Sequence, residues 1–327
     1  MKEYKNKYTF LQKVYLYLHG KIYSRRLKNQ IRFHDKYVIS IGNLSAGGTG
    51  KTPLTAFLAH KFKKDSPLAV LRGYGGKEKK PLLVSDGKKI LSNYLEAGDE
   101  AIQLSHIPGL RVAVSRDRSE AIRLYSEKSK LILLDDAFQN PRVYRDHELV
   151  LIDASIPPEK VKVFPSGHFR DDFSALTRAD TILLTRSDQI SLLEKKRWIQ
   201  ILKKEAPGKK VFESHHKPSA VLPLLRKQKV GAFCGIGNPE SFFRILRSSG
   251  YTVEKSFIWQ DHHIFTEKDI EFLKSWKLPL ITTEKDAVRL ISLQSEKNMH
   301  IDFHVLKIEI KIKNEKDFLR AIRNIKN

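Results

Sequence analysis

"ISIGNLSAGGTGKTPLTAFLAH" spans Ile39–His60, and its reading decides the fold. An apolar segment runs into a glycine-rich loop, and the loop into a helical pattern. That order suits a P-loop, in which backbone N–H groups and a helix N-terminus converge on phosphate oxygens. The usual spelling is G-x-x-x-x-G-K-[ST]. Counting back from Gly50-Lys51-Thr52 puts Ser45 where the first glycine belongs. Gly47 and Gly48 still supply permissive backbone. The expected cradle is therefore Ser45, Ala46, Gly47, Gly48, Thr49, Gly50, Lys51 and Thr52, a variant loop that binds nucleotide. Lys51 is expected at the β- and γ-phosphates and the Thr52 hydroxyl at Mg²⁺. Pro53 falls in the first helical turn, where its missing N–H costs nothing.

Outward from this loop, apolar runs alternate with helical patterns. "YVISI" (37–41), "PLAVL" (67–71), "LRVAV" (110–114), "LILLD" (131–135), "LVLID" (149–153) and "TILLT" (181–185) read as buried parallel strands. Helices are expected near 53–64, 97–105, 117–127 and 191–205. This is the grammar of an α/β fold with a doubly wound, mostly parallel sheet of the P-loop NTPase type. The pattern restarts after "FESHHKPSAVLPL" with strand "KVGAFCGI", helix "PESFFRILRSSG" and strand "PLITT". The expected division is a P-loop domain over 1–210 and a smaller α/β domain over 211–327, with extended connectors near 211–225 and 304–312. "CGIGNPESF" carries G-x-G but has Glu240 in place of the third glycine, so it reads as a tight turn rather than a dinucleotide fingerprint.

Composition narrows the classes. Among 327 residues, 60 Lys+Arg face 37 Asp+Glu, a net charge of +23. Such an excess suits a polyanionic partner, whether nucleic acid, an anionic membrane or a phosphorylated substrate, or else a solvated basic surface. The single cysteine, Cys234 in "VGAFCGIG", excludes an internal disulfide and reads as a core residue. No run approaches the ~18 apolar residues that span a bilayer, and no signal peptide is evident. In "KYTFLQKVYLYLHGKIYSRRLK", Leu11, Val14, Tyr15, Leu18 and Ile22 recur at helical spacing among Lys and Arg. This stretch (about 8–28) is either a membrane-interface helix or a helix docked on its own core.

Several residues carry candidate chemistry. "LILLDD" ends in Asp135 and Asp136, adjacent carboxylates at a strand end that suit a metal ion. "GDEA" places Asp99 and Glu100 at a helix start, either as N-terminal helix charges or as a source of a base for an acceptor hydroxyl. "RGYGG" follows a strand, so Arg72 and Tyr74 lie where ligands bind in open α/β sheets. "LLTRSD" is similar to a guanine-reading motif, with Arg186 in place of Lys. "DHH" at 261–263 is either a metal cluster or the source of one catalytic histidine.

Taken together, "GNLSAGGTGKTP", "RGYGG", "GDE", "SRDR", "DDAFQN", "RDHELVLIDA", "FPSGHFRD", "CGIGNPESFF", "DHHIFT" and "TTEKDAVRL" resemble the tetraacyldisaccharide 4′-kinases of lipid A (lipopolysaccharide) biosynthesis, in family order over nearly the whole chain. The family usually reads "DDGFQH", so Ala137 and Asn140 depart from it. The resemblance implies ATP- and Mg²⁺-dependent phosphorylation of the 4′-hydroxyl of a tetraacyl glucosamine disaccharide 1-phosphate. It implies two α/β domains joined by a short β linker. Asp99 is then the base, paired with His262 from the second domain, and Lys51 is catalytic. Thr52, Glu100, Asp135 and Asp136 are assigned to the metal, and Arg72, Tyr74, Arg118 and Arg170 to phosphate or substrate. The lipid acceptor favours the interfacial reading of the N-terminal helix and a peripheral monomer on the cytoplasmic face of the inner membrane, with no nucleic acid partner. The rival readings are a P-loop GTPase or metallochaperone-type switch and a nucleic-acid-dependent ATPase.

Overall fold

The apolar runs become strands and the patterned stretches helices in the computed structural model, which describes residues 8–45 and 47–323. The N-terminal third holds α1 (Phe10–Lys28), β1 (Tyr37–Asn43), α2 (Lys51–Lys61), β2 (Leu68–Leu71), β3 (Leu82–Asp86), α3 (Tyr94–Ala97), α4 (Asp99–Ser105) and β4 (Arg111–Val114). Next come α5 (Arg118–Tyr125), β5 (Leu131–Asp135), β6 (His147–Asp153), β7 (Thr181–Thr185), α6 (Leu192–Glu205) and β8 (Lys210–Leu222). The remainder is β9 (Lys229–Cys234), α7 (Pro239–Ser248), β10 (Thr252–Ile258), α8 (Glu267–Lys274), β11 (Leu280–Thr283), α9 (Glu284–Lys297), β12 (His304–Ile312) and α10 (Glu315–Ile322).

The chain gathers into two compact units. The first is Met1–Val70, Arg118–His215 and Lys311–Asn327; the second is Leu71–Asp117 and His216–Ile310. A single boundary at 210 does not describe them, because residues 71–117 gather with the C-terminal segment. The reason is packing: α4 lies against α9, and the buried Asp99 at the start of α4 faces Arg289 of α9. The chain crosses between the units four times, after Val70, after Asp117, within β8 after His215 and within β12 after Ile310.

In the first unit the strand order is β8-β7-β6-β1-β5-β2, with every pairing parallel. All residues of β5, β6 and β7 are buried, as strands covered on both faces require. Register puts Asp135 opposite Ile41, so the acid at the end of β5 lies beside the strand that feeds the P-loop. Trp198 of α6 fills the core on one side, donating its indole N–H to the Ala154 carbonyl at 3.3 Å.

Helix α1 belongs to this unit and shows two faces. Thr9 caps it, reciprocated by Gln12. Gln12 is buried and its Nε2 donates to the Val163 carbonyl at 2.9 Å, while Tyr15 and Leu16 pack on the core. Leu11, Val14, Leu18 and Ile22 stay exposed on the other side, with Phe10 and Tyr17. Tyr15 was expected in that outer stripe and instead faces inward, where its hydroxyl finds a carbonyl partner. Among the described residues no helix is long and apolar enough to cross a membrane.

The second unit carries the parallel order β10-β9-β11-β12 and the antiparallel pair β3–β4. The helix expected over 97–105 is divided at Gly98, whose φ is +85°. Only glycine fits there, because an added Cβ would meet the Tyr74 carbonyl oxygen at 2.2 Å. Cys234 is buried, and burial pushes its thiol up to about 12, as befits a core residue.

Candidate active site

The loop after β1 turns through two left-handed positions, Gly47 (φ +106°) and Gly50 (φ +95°), and glycine occupies both. Ser45 has no positive φ; it is buried and bridges Phe169. The first glycine of the usual motif is therefore not needed in this loop. Ala46 lies outside the described residues. Gly50 caps α2, and Lys51 and Thr52 form its first turn, which directs the helix N-terminus at the cradle.

What surrounds the loop ties its carbonyls away from an incoming anion. Asn43 Nδ2 donates to Thr49 Oγ1 at 2.9 Å, and Thr185 Oγ1 donates to the Thr49 carbonyl at 3.1 Å. Arg186 Nη2 donates to the Gly48 carbonyl at 2.6 Å, and its Nη1 pairs with the Asp153 carboxylate. Arg186 is buried with a φ of +54°. It is a brace behind the loop, not a base reader, so the sequence similarity to a guanine motif does not carry over to the structure.

The tandem acids are gripped from several sides. Lys51 Nζ lies 3.5 Å from Asp136 Oδ1, and Arg170 Nη1 lies 2.9 Å from Oδ2. Burial pushes the Asp136 carboxyl up, but Lys51, Arg170 and Arg118 hold it far below the usual carboxylate range. Asp136 also adopts a φ of +50°, an uncommon conformation for a residue with a Cβ. Arg118 fixes that backbone: buried, it donates Nη2 to the carbonyls of Asp135 and Asp136, both at 2.9 Å. Through these two bonds Arg118 shapes the acidic turn. Arg145 holds the following turn through the carbonyls of Ala137 and Asn140.

The Thr52 hydroxyl and the Asp135 and Asp136 carboxylates are hard oxygen donors, the chemistry Mg²⁺ requires. Among the described residues no group of three or more His, Cys, Asp or Glu gathers as a metal cluster. That fits an ion held by one or two carboxylates plus phosphates and water. Glu100 lies in the second unit, where it pairs with Lys285 Nζ at 2.5 Å.

The second unit assembles the other candidates. Asp99 is 2% exposed. Its Oδ1 accepts the Glu100 N–H at 2.8 Å, and its Oδ2 lies 3.1 Å from His262 Nδ1 and 3.4 Å from Arg289 Nε. The pairing of Asp99 with His262 is thus present, but inside one unit, so it is not divided between two domains as the sequence suggested. Burial raises the Asp99 carboxyl, yet the His262 hydrogen bond and the Lys285 and Arg289 cations hold it below its ordinary value. The hydrogen bond to Asp99 in turn raises His262, against its burial. Tyr74 is exposed with its ring centroid 5.1 Å from that of His262. Arg72 is exposed after β2.

His262 has a φ of +61°, and a buried network supports this turn. Its N–H donates to the Gly235 carbonyl at 3.2 Å. Arg289, 2% exposed, donates Nη2 to the same carbonyl at 3.1 Å and Nη1 to the His263 carbonyl at 3.0 Å. Asp286 accepts the Gly235 N–H at 3.0 Å. His263 Nε2 lies 3.1 Å from Asp269, so the two adjacent histidines serve different carboxylates and do not form a metal cluster. Lys285, Asp286 and Arg289 escaped the sequence reading, although "TTEKDAVRL" was visible as a motif.

Comparison with known proteins follows this geometry. The sequence model of the tetraacyldisaccharide-1-P 4′-kinase family matches residues 8–327. The tetraacyldisaccharide 4′-kinase of Halothermothrix orenii is 33% identical over 317 residues, covering 87% of this chain and 83% of that one. That of Syntrophus aciditrophicus is 31% identical over 341 residues, covering 95% and 89%. A crystal structure of the "apo" form of LpxK from Aquifex aeolicus in complex with ATP aligns with a TM-score of 0.75 at 25% identity, covering 97% of this chain and 96% of that one. A P-loop with its acids, a buried carboxylate–histidine pair and a family match from end to end agree, and the chain is a member of the tetraacyldisaccharide 4′-kinase family.

Proposed function

We infer that this protein transfers the γ-phosphoryl group of ATP to the 4′-hydroxyl of a tetraacyl glucosamine disaccharide 1-phosphate, a step of lipid A biosynthesis. The observation that carries the reading is the Asp99–His262 contact at 3.1 Å, a base for a hydroxyl acceptor that a GTPase switch does not need. Gly47, Gly48 and Gly50 present backbone to the phosphates, and Lys51 exchanges Asp136 for phosphate oxygens. Thr52, Asp135 and Asp136 are assigned to Mg²⁺. Bound Mg²⁺ supplies neutralisation of the charge that spreads over the transferred group. Arg170 steadies the same charge, while Arg118 and Arg186 keep the acidic turn and the loop in shape.

A sugar hydroxyl has a pKa far above neutrality, so its proton needs a positioned acceptor as the new P–O bond forms. Asp99 takes it, and His262 orients the carboxylate and shares the proton. Tyr74 and Arg72 are assigned to the acceptor. The acceptor carries acyl chains, which supports a peripheral enzyme at the cytoplasmic face of the inner membrane. The exposed stripe Leu11, Val14, Leu18 and Ile22, flanked by Lys13, Lys21, Arg25 and Arg26, supports the same placement. The test is transfer of labelled phosphate from ATP to the purified disaccharide 1-phosphate lipid; a chain that hydrolyses GTP and leaves the lipid unlabelled belongs to the switch class instead.

A further inference from the structure

Helix α1 has an outer face suited to lipid, but its inner face is not a plain apolar seam. It meets the segment that ends in Arg170 and Asp171. Tyr15 Oη donates to the Arg170 carbonyl at 3.2 Å, and His19 Nδ1 lies 3.4 Å from Asp171 Oδ1. Tyr15 also packs its ring 5.1 Å from that of Phe164, which is 53% exposed beside the helix. One turn further, Tyr23 lies under the Arg178 guanidinium at 4.1 Å. Arg178 Nη2 in turn holds Asp171 Oδ2 at 3.0 Å.

The same two residues reach the nucleotide cradle from their other side. The Arg170 N–H donates to the Leu44 carbonyl at 2.7 Å, at the junction of β1 and the P-loop. Its side chain pairs with Asp136 at 2.9 Å. Asp171 Oδ2 accepts from Gln139 Nε2 at 3.3 Å, and that nitrogen also donates to the Asn43 carbonyl at 2.8 Å. Arg170 is therefore fixed by backbone and side-chain bonds on the cradle side and by the Tyr15 hydroxyl on the helix side, while His19 reaches it only through its neighbour Asp171.

We propose that Tyr15 and His19 are positioning residues for Arg170, so that the helix offered to the membrane also shapes the phosphate end of the nucleotide site. The proposal rests on the kinase reading for its transfer assay, but not for its binding assay. A plain membrane anchor would need only apolar contact on its inner face. Here two polar side chains, four residues apart on one side of α1, meet adjacent residues of one short segment. Long Arg side chains have several rotamers, and a misplacement of about 1 Å can cost up to 10²-fold in rate. Losing the backbone tether of Arg170 is a change of that kind.

The experiment uses the full chain in detergent micelles, which removes vesicle recruitment from the reading. Tyr15→Phe/His19→Ala is compared with wild type for ATP affinity by calorimetry and for kcat on the lipid acceptor. The expected result is an ATP Kd weaker, and a kcat lower, by about tenfold, with KM for the lipid unchanged. His19→Asn, which keeps a donor near Asp171, restores most of the loss when introduced with Tyr15 intact. In an Arg170→Ala background the inner-face substitutions cost nothing more, because they act through Arg170. Unchanged ATP affinity in the folded double variant, or a loss that multiplies with Arg170→Ala, overturns the proposal. If the double variant does not fold, the single variants Tyr15→Phe and His19→Ala, each in the wild-type and the Arg170→Ala background, decide it by the same criterion. A wild type that binds ATP but labels no lipid refutes the kinase reading and leaves the calorimetric test intact.

Discussion

The pairing of Asp99 with His262 makes the sharpest prediction. Asp99→Asn keeps the acceptor for the Glu100 N–H but places an amide where Oδ2 faced His262 Nδ1 and Arg289 Nε. A donor then confronts donors, and the base is gone. A positioned base contributes roughly 10²–10⁴-fold, so kcat should fall about 10³-fold, near 4 kcal/mol of transition-state stabilisation. His262→Ala should cost a similar factor. Independent effects would multiply to about 10⁶, whereas a unit gives a double variant within about tenfold of the slower single one. Stability should suffer less than activity. Breaking a buried ion pair costs about 3–5 kcal/mol when a charge is left alone, but Asp286 Oδ1 remains 3.4 Å from Arg289 Nη2. The loss should sit at or below the low end of that range. The assay is initial-rate phosphate transfer, with ATP affinity measured separately and expected to change little. Asp99→Asn turnover within tenfold of wild type, or strictly multiplicative losses, refutes the reasoning.

Lys51→Ala should nearly abolish transfer in a folded protein, since the lost cation faces charge that develops between the β- and γ-phosphates; undiminished turnover would remove the P-loop from the mechanism. Arg186→Met should weaken ATP binding and lower the melting temperature, because it strands Asp153 buried and frees the Gly48 carbonyl; in competition assays ATP should win over GTP in wild type, and the opposite order would count against the bracing role. Leu18→Ser/Ile22→Ser should weaken binding to anionic vesicles, as should raised salt, by screening the flanking cations; equal vesicle binding would leave α1 a purely structural helix. The acid side of the kcat/KM profile should have its midpoint above the ordinary histidine value of about 6.5. The sign follows from His262, raised by its bond to Asp99: the pair already holds a proton below that pKa and can accept the substrate's only above it. His262→Gln should remove this limb, and a limb unchanged in that variant would assign it elsewhere.

Most of the sheet was legible because buried strands are written as unbroken apolar runs. "TILLT" is β7 to the residue, and "LILLD" is β5. Strand β3 was not, since Leu82 and Leu83 are half-buried and its partner β4 runs antiparallel; such a strand needs no continuous apolar run. The division of the chain was also hidden. Residues 71–117 gather with a segment more than a hundred residues away through α4 and α9, and neither helix carries a local signal of the other. Periodicity reports which face of a helix is apolar, not what covers it. Tyr15 shows the limit: it sits at the spacing of the outer stripe, yet its hydroxyl draws it inward to the Arg170 carbonyl.

The site divides in the same way. Residues assigned to a ligand are spelled by chemistry that tolerates few substitutes, so Lys51, Thr52 and the Asp135–Asp136 pair stand out in the sequence. Residues that hold those residues in place have many equivalent solutions and no spelling of their own. Arg186 reads as a damaged letter of a guanine motif and instead donates to the Gly48 carbonyl; Arg118 stands out in the sequence as a cation, while its bonds to the carbonyls of both acids carry no signal there. Ser45 is the converse case. Its departure from the usual motif looked like a defect only because the motif records residue types and not dihedral angles. The loop needs left-handed backbone at 47 and 50, where it has glycine, and needs at 45 a residue that can lie extended beside Phe169. A Ser45→Gly change that restores the usual spelling should therefore bring no gain in ATP affinity. It should cost about 0.5–1 kcal/mol of stability through added freedom of the unfolded chain, measurable as a lower melting temperature. A clear gain in ATP affinity would mean that Ser45, not the tethers on Gly48 and Thr49, limits the cradle.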